Sequence, residues 1–334
     1  MPARFASVLI SSVLTLAASA ALAQPSPAPA PAPDVFEPAP PQSTTVAPVT
    51  VEAGPKPTPK VIEKQTHTFV EGYAATPNAE IEQIGRWRDS VCVQVLGLAQ
   101  AQGAAIKARV EEVAAQVGLK PAKPGCTADV EIVFSDNPQG VMDKVAQQRE
   151  YLLGYYHRHD HDRLKKVTRP IQAWYVTATY GGGGDVAGAL FAGVSNMQVH
   201  EEVIDDPENP APTSCGDNRF FSKCLESVFK NVFIVADSKA LAGRDTGMIA
   251  DYLAMLALSQ PKSLDACAGL ASVLDVFAPS GCGGREPPDG FTQADAAYLT
   301  ALYAADGEGV KTQEQTDIST RMARILTKAS SARR

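Results

Sequence analysis

The densest local set of metal-type ligands in the chain is His157-Arg158-His159-Asp160-His161-Asp162, with a histidine at every second position. On a strand all three imidazoles face one way, and on a helix His157 and His161 share a face. Either arrangement offers neutral nitrogen donors of the kind that suits zinc or copper. The competing expectation is a solvated polar turn that holds no metal. His200-Glu201-Glu202-Val203-Ile204 starts like a helix that clamps zinc between two histidines one turn apart, but Ile204 stands at the second ligand position and Asp206-Pro207 stops the helix. Gly181-Gly182-Gly183-Gly184-Asp185 lacks the Lys-Ser/Thr that reaches phosphates and magnesium, so it reads as a loop tip. The chain contains no Gly-x-Ser-x-Gly elbow. Asp205/Asp206 and Asp136/Asp143 read as solvated carboxylates, and Trp174-Tyr175 as core and sheet-face aromatics. No catalytic residue is assigned. The expectation is a chain without a cofactor, and the alternative is zinc or copper on His157, His159 and His161.

The compartment follows from the amino-terminal end. Arg4 precedes an uncharged stretch, residues 5–22, and Ala21-Leu22-Ala23 forms a small-x-small cleavage site ahead of Gln24. Ser7, Ser11, Ser12, Thr15 and Ser19 dilute that stretch, whereas a permanent span wants about 20 strongly apolar residues. Residues 1–23 are therefore expected to be removed as a signal peptide, leaving a periplasmic or secreted chain with no transmembrane segment. The six cysteines, Cys92, Cys126, Cys215, Cys224, Cys267 and Cys282, all lie beyond the leader. An even number in an exported chain favours disulfides. Loop length favours Cys215–Cys224 and Cys267–Cys282, which leaves Cys92–Cys126. No Cys-x2-Cys pair supports a zinc cluster instead.

The formal charge of −7 becomes −8 when Arg4 leaves with its single positive charge. An acidic domain lacks the basic footprint of a nucleic-acid binder. Residues 24–60 are rich in Pro and Ala, and alternating prolines make this segment extended and disordered. Residues 61–334 are expected to form a single globular domain of the α+β class, a mixed β-sheet covered by helices. Within it the spacing predicts a short helix over Ile81–Trp87 and an apolar run over Val91–Leu96. Further helices are predicted over Ala104–Val117, Pro138–Leu153, Thr246–Leu258, Thr292–Tyr303 and Thr316–Lys328. Strands are predicted over Val130–Phe134, Ile171–Thr179 and Phe229–Ala236, with a long excursion from Tyr180 to about Asn218. Thr246–Leu258 is almost wholly apolar, which suggests burial on all sides.

In order along the chain, Val130–Asp143, Arg169–Thr179, Phe229–Asp237, Met248–Leu258, Ser272–Ala278 and Thr292–Ala304 resemble a group of exported proteins from alphaproteobacteria. That resemblance names a family without naming an activity. The His157–Asp162 cluster is similar to the metallo-β-lactamase signature H-x-H-x-D-H with its last two residues, His161 and Asp162, in reverse order. The order of strands and helices also resembles the metzincin-type metallopeptidase layout, whose central helix carries H-E-x-x-H. The corresponding helix here is Thr246–Leu258, with Ala250-Asp251-Tyr252-Leu253-Ala254 where the first ligand and the base would stand, and no histidine follows His200. The resemblance implies a fold that has lost its metal. The expected function is a non-catalytic binding or envelope-associated domain whose partner is an envelope protein, peptide or glycan. A metal-dependent hydrolase built on the histidine cluster is the alternative.

Overall fold

The computed structural model describes residues 58–76, 83–154, 161–181, 225–265, 267, 269–278, 281–305, 307 and 309–332. The expected signal peptide, most of the Pro/Ala-rich segment, His157, His159, His200, Cys215 and Cys224 lie outside the described residues. Among the described residues, seven α-helices and a four-stranded mixed sheet make up an α+β fold. The elements are α1 (Pro59–Tyr73), β1 (Val93–Leu96), α2 (Gln100–Gln116), β2 (Val130–Ser135), α3 (Pro138–Gln148), α4 (His161–Leu164), β3 (Ile171–Gly181), β4 (Leu225–Asp237), α5 (Thr246–Leu258), α6 (Gln293–Ala304) and α7 (Lys311–Ala332). Short 3-10 helices at Glu150–Leu153 and Val273–Phe277 join them.

The sheet runs β1-β2-β4-β3, with β1, β2 and β4 parallel and β3 antiparallel to β4. Alternation along each strand sends Val130, Ile132 and Phe134 of β2, with Val232, Ile234 and Ala236 of β4, to one face. The larger core there includes α2 and α5. Phe233, Val235 and Trp174 point to the opposite face and meet Met142, Val145, Leu152 and Leu153. Gly97 ends β1 at φ +83, and a Cβ there would stand 1.9 Å from the Phe134 carbonyl oxygen, so only glycine lets the two parallel strands close at this point.

α5 is enclosed as its composition demands, with every residue from Met248 to Leu258 except Asp251 buried. Asp245 caps its first turn by accepting from the Met248 N–H at 2.8 Å. A buried helix end leaves carbonyls that need donors, and three aromatic side chains supply them. Tyr175 donates to the Leu256 oxygen at 2.9 Å, the Trp87 indole to the Ala257 oxygen at 2.7 Å, and Tyr303 to the Leu258 oxygen at 2.8 Å.

Two expected elements differ, and one element was not expected. Residues 83–87 are not helical: Arg86 bridges Val228 in parallel fashion, accepting from the Phe229 N–H at 2.9 Å. Its guanidinium donates to the Leu302 and Ala305 carbonyls at 2.9 and 3.0 Å and pairs with Glu314 at 2.6 Å. These tertiary bonds override local propensity. The helix expected to reach Leu153 stops at Gln148, because Arg149 takes φ −139 and forks onto Glu131 of β2 at 2.7 and 2.5 Å. α1 was not expected; Pro59 starts it, and Ile62, Thr66, Phe69, Val70 and Tyr73 form its buried stripe.

Candidate functional site

The polar centre of the molecule is built where α1, the 3-10 helix Val273–Phe277 and the start of α6 meet. Each of the last two begins with a reciprocal cap. Ser272 and Asp275 form one capping box, and Thr292 and Asp295 form the other. The boxes interlock through Asp295, which is fully buried. One of its oxygens accepts from the Ser272 hydroxyl at 2.6 Å, and the other from the Val273 and Thr292 N–H groups at 2.9 Å each. Burial pushes the Asp295 carboxyl up, and these donors pull it back toward the charged form.

Asp275, also buried, accepts from the Ser272 N–H at 3.1 Å, from the Arg285 guanidinium at 2.9 Å and from the Tyr73 hydroxyl of α1. Burial, followed by the bond to Asp275, pushes the Tyr73 hydroxyl well above the usual phenol range. Tyr73 therefore acts as a fixed donor. Arg285 also reaches the Gly269 carbonyl at 3.0 Å.

Cys267 and Cys282 are joined beside this cluster, with Cα atoms 5.3 Å apart. Their sulfurs and an Asp275 oxygen lie within 4.8 Å of one another. Two thiolates and a carboxylate make a plausible donor set for zinc, but here both sulfurs are held in a covalent bond. The backbone around Cys282 is unusual. Gly281, Cys282, Gly283 and Gly284 have φ values of +58, +49, +67 and +83, a left-handed turn in which Cys282 is the only residue with a side chain. The second described disulfide, Cys92–Cys126, has Cα atoms 6.1 Å apart and staples the start of β1 to the loop before β2. The pairing expected for Cys215 and Cys224 lies outside the described residues.

His161, the one described member of the histidine cluster, opens α4. Its ring nitrogens stand 3.6 Å from a Glu150 carboxylate oxygen and 3.4 Å from one of Asp162. The position matched to a metallopeptidase base, Asp251, accepts from Arg109 of α2 at 2.6 Å and from the Phe291 N–H at 2.7 Å. It ties α2 and the segment before α6 to α5. A depression of about 520 Å³ on α7 is lined by Thr312, Gln313, Thr316, Asp317 and Thr320, and Arg321 holds its acid at 2.9 Å.

Sequence reasoning missed the Tyr73–Asp275–Arg285 and Ser272–Asp295 links. The Ser-x-x-Asp spacing of Ser272 and Asp275 was the available signal, the same one that marked Thr292 and Asp295. No described helix is long and apolar enough to cross a membrane. No protein family, curated protein or solved structure matches the chain.

Proposed function

We propose that this chain is an exported, non-catalytic domain that engages an envelope protein, peptide or glycan. The observation that carries the reading is how the buried carboxylates are used. Asp275 and Asp295 accept from backbone N–H groups, hydroxyls and a guanidinium that belong to the fold itself. A general acid or base needs a carboxyl in reach of a substrate proton, and these carboxylates hold segments together instead. The two described disulfides fit an oxidising compartment.

Fractionation of cells expressing the full chain tests export. The expected product begins at Gln24, lies outside the cytoplasm and has no alkylatable thiol. An intact chain in the cytosol with free thiols overturns the reading.

The second reading, a metal-dependent hydrolase, rests on His161 and its flanking carboxylates at 3.4 and 3.6 Å. Elemental analysis of chelator-treated protein, reloaded with zinc or copper, separates the two readings. Stoichiometric metal that vanishes in the His157→Ala/His159→Ala/His161→Ala variant favours the hydrolase.

A further inference from the structure

We infer that Cys267–Cys282 is an exchange-active disulfide, a site for thiol–disulfide exchange with a dithiol partner. Three independent features meet at this bond. Cys282 is held in the left-handed region at φ +49, the only residue other than glycine with positive φ among the described residues. An L-residue is strained there, and breaking the bond frees Cys282 to relax. Cys267 and Cys282 are both partly exposed, so a small thiolate can reach them. Asp275, whose side chain is 1% exposed, sits within 4.8 Å of both sulfurs and is fixed by Tyr73, Ser272 and Arg285. Strained, accessible disulfides are the labile ones, and exchange rates depend on the protonation of the attacking and leaving thiols.

The step balances with a dithiol as co-reactant. One thiolate of the dithiol attacks a protein sulfur, the Cys267–Cys282 bond breaks, and a mixed disulfide forms. The leaving cysteine sulfur takes up a proton from solvent. The second thiol of the reagent loses its proton and attacks the mixed disulfide, releasing the second cysteine as a thiol. Two electrons and two protons pass from the dithiol to the protein, and the reagent leaves as its own disulfide. Reduction frees the Gly281–Gly284 turn from its anchor at Cys267, while Arg285 remains its link to Asp275.

The test uses the full mature chain in native buffer. Graded dithiothreitol is followed by rapid alkylation, and peptide mass spectrometry reads each cysteine. Cys267 and Cys282 should become alkylated at least tenfold faster than Cys92 and Cys126, with circular dichroism unchanged. Equal rates, a faster Cys92–Cys126 pair, or reduction only on unfolding overturns the inference.

Discussion

The two described disulfides staple different kinds of structure, and each has a carboxylate close by. Cys92–Cys126 fastens the first residues of a parallel strand, and Asp129 accepts from the Cys92 N–H at 2.7 Å. No positive group is among the causes that shift the Asp129 carboxyl. Burial alone lifts it to about 6, against backbone donors that oppose the rise. Cys267–Cys282 fastens a left-handed loop, and its carboxylate, Asp275, has a guanidinium and a phenol as donors. One region secures regular structure with an acid that is easily neutralised. The other secures irregular structure with an acid held in a network. An irregular loop has no ladder of hydrogen bonds to define its course, so side-chain bonds and a covalent link take over that work.

The largest expected effect breaks the second region at its hub. Asp295→Ala removes the acceptor for Ser272, Val273 and Thr292 and leaves buried donors unmatched. The expected loss is about 3–5 kcal/mol, read from urea unfolding followed by circular dichroism. A loss under about 1 kcal/mol would mean that the interlocked caps are decoration. Removing the covalent links comes next. Loop-closure entropy predicts about 4 kcal/mol for the 34-residue separation of Cys92–Cys126 and about 3 kcal/mol for the 15-residue separation of Cys267–Cys282. Paired Cys→Ser variants measured by thermal melting compare them. Relief of the Cys282 backbone should make the second loss smaller than its loop length implies.

The contrast also explains what could be read from the chain alone. Elements governed by neighbours in sequence were legible. α5 runs over Thr246–Leu258 as expected, because an Asp cap, a run that is apolar but for Asp251, and Pro261 all act locally. β2 and the Thr292 cap were legible for the same reason. Loop length favoured Cys267–Cys282 and left Cys92–Cys126 as the remaining pair, and both are present. The polar network was hidden because its partners are far apart in the chain. Tyr73 and Asp275 are separated by 202 residues and Arg86 and Glu314 by 228. Periodicity carries no information at that range. The Arg86 bonds turned residues 83–87 from helix to bridge, and the Arg149–Glu131 pair, 18 residues apart, ended α3 at Gln148.

Acidity separates the two regions by a smaller amount. A carboxyl whose folded value is raised from 3.8 to about 6 binds its proton more tightly in the folded chain. Its contribution to stability is therefore complete below about pH 4 and is lost as pH rises through about 6. Asp129→Asn should remove that slope. Urea midpoints of the native chain should fall relative to the variant between about pH 4 and pH 7. Parallel curves would show that Asp129 titrates as an ordinary surface acid.

The smallest effect asks whether the second region depends on its hydroxyls or on its carboxylates. The Thr292 oxygen accepts from the Asp295 N–H at 3.0 Å and lies 2.9 Å from both the Ala271 carbonyl and an Asp295 oxygen, with one proton to give. Thr292→Ala should cost about 1 kcal/mol, the usual loss of a helix cap. Thr292→Ser keeps the oxygen and should cost a few tenths of that range, roughly 0.3 kcal/mol. Because Asp295 keeps its bonds to Ser272 and Val273 in both variants, neither should alter the reduction rate of Cys267–Cys282. If Thr292→Ala accelerates that reduction, the cap of α6 and the disulfide loop act as one unit, and the carboxylates join them without being the sole support.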